Sequence, residues 1–249
     1  MTPKDRLIFA LDVPDKKAAL NYIRLLRQEV GLFKVGLELY LAQGPTLLKE
    51  IIKEVEYGEA RIFLDLKLYD IPHTVGMAAI GIEIFPRFLT IPSDLGKSAI
   101  EKIKTLAIGH DLLAVTVLTS MTPQDLQDLG YDTQFASELT KLVVARAQMA
   151  QAAGCAGVVC SGREVKAVKE ACGPDFLTVC PGIRPDWASV PGDDQQRTVT
   201  PYQAIKDGAD YIVVGRPIRN YPQTDGGPVA AARRVVEEIA AGLKERRGP

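Results

Sequence analysis

Short apolar runs rich in β-branched residues recur along this chain, separated by longer stretches with the period of an amphipathic helix. The runs fall at residues 7–13, 32–36, 61–68, 87–91, 112–118, 157–160, 176–180 and 211–215. Helical patterns cover 16–29, 45–56, 96–106, 135–153 and 164–171, and a last one, 228–246, follows the final run. Runs this short and this apolar suit strands buried on both faces, the condition of a parallel sheet. Parallel neighbours need a crossover, and helices supply it. Gly154, Gly173 and Gly208 stand where helix C-termini are expected. Eight strands with helical crossovers predict an α/β fold, a (β/α)8 TIM barrel. A doubly wound open sheet is the alternative, because period alone does not distinguish a closed sheet from an open one. The 249 residues match the usual barrel length of about 250. No linker, low-complexity tract or long repeat divides them, so residues 1–249 are read as one domain.

One of these runs carries charge. Between Ile62 and Leu68 the chain is apolar enough for a buried strand, yet Asp65 and Lys67 stand two residues apart within it. Strand geometry predicts both on one face. Such charges must be paired, solvated in a cavity, or both, because lone buried charges are expensive. Other polar marks fall at the ends of the remaining runs. They are Asp12 after the first, Lys34 in the second, Thr119 and Ser120 after the fifth, Gly182 and Arg184 after the seventh, and Gly215 and Arg216 after the eighth. A single Asp after a strand is commonly a helix N-cap, and a single Lys in a short strand commonly snorkels to solvent. Their joint occurrence at successive strand ends points instead to one rim of a barrel, the face where active sites are built.

Two segments look like anion binders: Val179-Cys180-Pro181-Gly182-Ile183-Arg184-Pro185 and Ile212-Val213-Val214-Gly215-Arg216-Pro217-Ile218. Loops after strands 7 and 8 are the recurrent phosphate site of such barrels. Gly215 would let the backbone approach closely, and Arg216 could add a bidentate contact. Between them runs the polar, turn-rich stretch 190–198, which suits a mobile lid over the anion.

Composition excludes several classes. A net charge of −1 shows no broad basic footprint for nucleic acid. The start of the chain leads directly into a strand-like run, with no signal-peptide or membrane-spanning pattern. The four cysteines (Cys155, Cys160, Cys172, Cys180) form no C-x-x-C pair and read as reduced, mostly buried thiols of a cytoplasmic protein. With only His73 and His110, a histidine-rich metal site or a Ser-His-Asp triad is not expected.

Together these segments resemble the orotidine 5′-phosphate decarboxylase family. The matching pieces are Phe9-Ala10-Leu11-Asp12, Phe33-Lys34-Val35-Gly36, the stretch Phe63 to Thr74 with its Asp65-x-Lys67-x-x-Asp70 core, Val115 to Met121, Pro181-Gly182-Ile183-Arg184, Asp194-Gln195 and Val214-Gly215-Arg216-Pro217. The Asp-x-Lys-x-x-Asp element alone is shared with sugar-phosphate relatives such as 3-keto-gulonate 6-phosphate decarboxylase; its combination with Leu118-Thr119-Ser120 and Pro181 to Arg184 is more specific. One region departs. The family commonly has Val-His-Ala and a glycine pair after the fourth strand, where this chain has Leu89-Thr90-Ile91-Pro92-Ser93-Asp94-Leu95-Gly96.

The resemblance implies decarboxylation of orotidine 5′-monophosphate to UMP without cofactor or metal. Lys67 would protonate C6 within a Lys34, Asp65, Lys67 and Asp70 charge array, and Asp65 would lie near the departing carboxylate. Flanked by carboxylates, Lys67 is expected to stay an ammonium. Asp12 and Lys34 would contact ribose hydroxyls, Thr119 and Ser120 the pyrimidine, and Arg184, Gln195, Gly215 and Arg216 the phosphate. Asp70, Ile71 and Thr74 would reach a neighbouring subunit's site, which implies a homodimer. Two other readings stand beside this one: a relative acting on a sugar phosphate, with or without Mg²⁺, and a non-catalytic phosphate-ligand binding protein on the same barrel.

Overall fold

The computed structural model describes residues 1–55, 61–188 and 197–246, the side chain of residue 136 aside. Eight strands close into a barrel in sequence order, with the last returning to the first. They are β1 (Leu7–Ala10), β2 (Leu32–Gly36), β3 (Ile62–Asp65), β4 (Phe88–Pro92), β5 (Leu112–Val115), β6 (Gly157–Val159), β7 (Leu177–Cys180) and β8 (Tyr211–Val214). All eight neighbouring pairs are parallel. The open sheet is therefore excluded.

Helices fill the crossovers: α1 (Lys16–Leu26), then α2 (Leu37–Gln43) and α3 (Thr46–Glu54), α4 (Pro72–Ile80) and α5 (Lys97–Leu106). After β5 come α6 (Pro123–Asp128), α7 (Thr133–Ser137) and α8 (Leu139–Ala152), then α9 (Val165–Cys172), α10 (Pro201–Lys206), α11 (Arg216–Arg219) and α12 (Gly227–Arg246). Local chemistry sets many of their starts. Asp15 accepts from the Ala18 amide at 2.8 Å ahead of α1, and Thr122 and Asp125 form a reciprocal capping box at α6. Thr200 caps α10 with Pro201 in its first turn. α12 is closed onto α10 at Gly242, where an added Cβ would come within 2.7 Å of the Tyr202 carbonyl.

Side-chain alternation divides the core in two. Ile8, Leu32, Phe63, Phe88, Leu113, Val159, Val179 and Tyr211 fill the barrel interior. Leu7, Phe9, Phe33, Leu64, Leu89 and Leu112 point outward under the helices. Phe88 meets Phe63 and Tyr211 edge-on at centroid separations of 6.0 and 5.2 Å. This aromatic plug closes the barrel below the rim, and emptying it with Phe88→Ala would cost about 3–5 kcal/mol.

Several strands are shorter than expected. β1 ends at Ala10 rather than Val13, β3 at Asp65 rather than Leu68, and β5 at Val115 rather than Leu118. Beyond those points the backbone leaves the ladder for the rim, although the apolar composition continues. The predicted helix 135–153 is two helices, α7 and α8, broken at Glu138 with φ −123° and ψ 63°. α2, α4, α6, α10 and α11 had no counterpart among the expected helical patterns. No helix among the described residues is long and apolar enough to cross a membrane.

Candidate active site

The C-terminal ends of the strands surround a cavity of about 540 Å³, within the range of small-molecule sites. Ala10, Phe63, Val115, Val159 and Val213, the uppermost interior side chains, help line it. Charge enters through the same alternation. Lys34 follows Leu32 on the inward face of β2, and Asp65 follows Phe63 on that of β3. The register places Lys34 beside Phe63 and Gly36 beside Asp65, which brings the two charges together. A Cβ at Gly36 would stand 2.9 Å from the Lys34 ammonium and displace it, so glycine leaves that ammonium its place.

Four side chains form a row of alternating sign. Asp12 Oδ1 is 2.9 Å from Lys34 Nζ, Lys34 Nζ is 3.6 Å from Asp65 Oδ2, and Asp65 Oδ1 is 2.8 Å from Lys67 Nζ. Burial alone would raise the Asp65 carboxyl, but the ammonium groups of Lys34 and Lys67 outweigh it and hold Asp65 below its ordinary range. Burial likewise opposes charge on Lys34, yet Asp65 and Asp12 prevail and raise its pKa. Asp65 is thus a carboxylate clamped between two cations at neutral pH.

Lys67 reaches this row from outside the strand, a correction to its expected place on β3. Its φ of 50° makes it the sole non-glycine residue of positive φ among those described, a conformation costing on the order of 1–3 kcal/mol. Thr90, fully buried on β4, holds it there. The Lys67 amide donates to Thr90 Oγ1 at 2.9 Å, the Leu68 amide to the Thr90 carbonyl at 3.1 Å, and Thr90 Oγ1 donates to Asp65 Oδ1 at 3.1 Å. Sequence reasoning missed Thr90; a hydroxyl in the middle of an apolar strand was the available signal.

Arg184, Gly182, Gly215 and Arg216 line the cavity at the ends of β7 and β8, on the far side of the barrel from Lys67. Arg219 joins them and was not foreseen; its guanidinium donates to the Asp12 carbonyl. Below them the two feet of the β7–α10 connection are tied together: Ile183 and Val199 form a parallel bridge, and the Arg184 amide donates to the Val199 carbonyl at 2.9 Å. Trp187, on the same connection, donates to Glu238 at 2.7 Å, meets Tyr221 edge-on at 5.3 Å and lies under the Arg234 guanidinium at 4.4 Å. Gln195 and most of the expected lid, 190–196, lie outside the described residues.

Thr119 lines the cavity and is buried, whereas Ser120 is exposed beside it and does not line it. Asp70, Ile71 and Thr74 are exposed and do not line this chain's own cavity, and Asp70 Oδ1 accepts from the Ile71 amide at 2.6 Å. Asp70 is therefore not a member of the row within one chain; Asp12 takes the fourth place. Among the described residues no three His, Cys, Asp or Glu side chains converge as metal ligands would. His110 lies instead against Ala79 and Phe85, between helices.

Comparisons with known proteins identify the family and the fold. The model of the orotidine 5′-phosphate decarboxylase / HUMPS family matches residues 5–235. The chain is 45% identical over 248 residues to the orotidine 5′-phosphate decarboxylase of Desulfosudis oleivorans, covering 97% of this chain and 96% of that one. It is 42% identical to that of Gloeothece citriformis over 241 residues, 95% and 98% of the two chains. Among solved structures, orotidine 5′-phosphate decarboxylase from Lactobacillus acidophilus superposes with a TM-score of 0.74 at 32% identity, covering 94% and 98%. On its sequence and its architecture, the chain belongs to the orotidine 5′-phosphate decarboxylase / HUMPS family.

Proposed function

We propose that this protein decarboxylates orotidine 5′-monophosphate to UMP, in the last step of de novo pyrimidine synthesis, without a cofactor. The observation that carries the reading is the alternating row ending in Lys67, set across the cavity from Arg184 and Arg216. A phosphate held by Arg184, Gln195, Gly215 and Arg216 directs the rest of the nucleotide toward that row. Asp12 and Lys34 take the ribose hydroxyls, and Thr119 and Ser120 the pyrimidine.

In the chemical step the bond between C6 and the carboxylate breaks and CO₂ leaves. The electron pair left on C6 takes a proton from the Lys67 ammonium, which is replenished from solvent. A cation fixed beside the carbon before the bond breaks stabilises the developing charge with little reorganisation. Asp65 faces the departing carboxylate and holds Lys67 in place. Binding energy from the remote phosphate lowers the barrier at C6 if it is realised only in the closed, reacting state.

Asp70, Ile71 and Thr74 complete the site of a second copy in a cytoplasmic homodimer. Supporting this, Tyr69 and Ile71 are about two-thirds exposed (67% and 66%), and Met77 and Ile80 on α4 are also open to solvent. Mixing inactive Asp70→Asn and Lys67→Ala subunits is expected to restore part of the activity; no recovery despite proven subunit exchange removes the sharing.

The primary test follows the absorbance of orotidine 5′-monophosphate with purified protein and EDTA, beside Lys67→Ala. Rapid loss that needs Lys67 supports the reading. No loss, with turnover of a sugar phosphate in Mg²⁺, replaces it. Arg216→Ala should raise KM at least tenfold, and an unchanged KM moves the phosphate elsewhere.

A further inference from the structure

We propose that Arg146 and Arg197 are positioning residues that set the pyrimidine-reading pair Thr119 and Ser120 by binding the three consecutive main-chain carbonyls just ahead of it. The proposal rests on the function argued above and extends it to residues that do not line the cavity.

β5 leaves its ladder at Val115, and the next carbonyls have side-chain partners. That of Thr116 accepts from Arg146 Nη1 and, at 3.3 Å, from Ser93 Oγ. Those of Val117 and Leu118 both accept from Arg197 Nη2 at 3.0 Å, and the Leu118 carbonyl also accepts from the Met121 amide at 3.0 Å. The two guanidinium groups come from separate parts of the chain, α8 and the approach to α10. Each is neutralised away from the cavity. Arg146 pairs with Asp94 at 2.6 Å and lies over the Tyr131 ring, and Arg197 pairs with Glu164 at 2.8 Å. The Arg197 carbonyl also accepts from Ser161 Oγ at 3.1 Å, tying in the end of β6.

Neither ion pair is a strong source of stability: desolvation offsets most of the attraction in the buried Arg197–Glu164 pair, and Asp94 is 45% exposed. What the pairs do provide is a fixed path for Thr116 to Leu118, with Thr119 next in line on the cavity wall. Asp94 lies in the segment where the sequence departs from the family's usual motif, so that departure contributes one arm of the clamp.

The test compares ligands with and without a ring. In Arg146→Met and Arg197→Met, the inhibition constant of UMP should rise about tenfold or more, while that of ribose 5-phosphate stays within about twofold. Equal changes for both ligands, or none for either, overturn the proposal. Should either variant fail to fold, Arg146→Lys and Asp94→Asn replace it with the same expectation. If the unaltered protein neither turns over orotidine 5′-monophosphate nor binds UMP, the functional reading fails separately. The clamp is then read from amide hydrogen exchange at Thr119 and Ser120 in Arg146→Lys: faster exchange supports it, and unchanged exchange overturns it.

Discussion

Two lysine–aspartate pairs occupy opposite ends of the barrel at nearly the same degree of shielding. At the bottom, Lys169 and Asp210 have side chains 11% and 10% exposed and are 2.6 Å apart. At the rim, the Lys34 and Asp65 side chains are each 13% exposed and are 3.6 Å apart. The difference lies in how the remaining valences are closed. An ammonium has three donors, and Lys169 has three acceptors for them: Asp210, the Phe176 carbonyl at 2.7 Å and the Pro174 carbonyl at 2.9 Å. Asp210 in turn accepts from the Thr178 amide at 2.9 Å. All three Lys169 donors are thus satisfied by the protein itself. At the rim the row ends in Lys67, whose ammonium has one carboxylate partner among the described residues and otherwise faces the cavity. Equal burial therefore does not mean equal purpose. A closed network locks two loops, whereas an open one holds donors ready for a ligand.

Substitution at the two ends should separate these purposes. Lys67→Ala is expected to lower kcat by roughly 10⁴-fold or more, the combined scale of proton transfer and electrostatic stabilisation. Its melting temperature should move by no more than about 3 °C. Lys169→Met should do the reverse, losing about 3 kcal/mol of stability in urea titration, since buried Asp210 would keep only the longer 4.0 Å ion-pair contact with Arg6. Its kcat should be unchanged, and a kcat that falls with stability intact would end the contrast.

A smaller effect is expected at Thr90. Thr90→Val removes the acceptor of the Lys67 amide and a donor to Asp65, a loss of about 1–3 kcal/mol. Steady-state kinetics should show it mainly in kcat, with Thr90→Ser restoring most of the rate. A change confined to KM would detach Thr90 from the charge row.

The least pronounced effect is the pH dependence of stability. Asp65 has a folded pKa below its unfolded value of about 3.9, so its contribution is present above that value and is lost as pH falls through the lowered one. Lys34 has a folded pKa above its unfolded value of about 10.4, so its contribution is present below that value and is lost as pH rises through the raised one. The row should thus contribute fully between about pH 4 and pH 10. Urea midpoints across pH for the protein and for Asp65→Asn would check this; parallel curves at both extremes would contradict it. Buried His110 has a pKa lowered chiefly by burial, so its neutral form adds stability above about pH 6.5 that fades as pH falls through the lowered value.

What could be read from the residues follows the range of the interactions. The polar marks at successive strand ends are local signals, and the barrel gathers Asp12, Lys34 and Asp65 from them at one rim, where alternation with Leu32 and Phe63 turns Lys34 and Asp65 inward. The barrel was legible because eight apolar runs of similar length leave a parallel sheet few other forms. The ends of β1, β3 and β5 were not legible, because Leu11, Leu66 and Val117 remain buried and apolar after the ladder stops. Nothing local marks Lys67 for a positive φ either; Thr90, 23 positions away, imposes it. The same holds for Arg146 and Arg197, whose carbonyl partners lie about 30 to 80 positions distant. In a one-dimensional pattern they are two ordinary basic residues.

The chain contains a single tryptophan, and it is Trp187. Its indole stands on the β7–α10 connection, with a carboxylate on its nitrogen and a guanidinium over its ring. All tryptophan emission from the unaltered protein therefore reports from one spot beside the active-site rim. On the function proposed above, a change in that emission on adding UMP would follow binding without a label, and a change that precedes the loss of substrate absorbance would separate binding from chemistry.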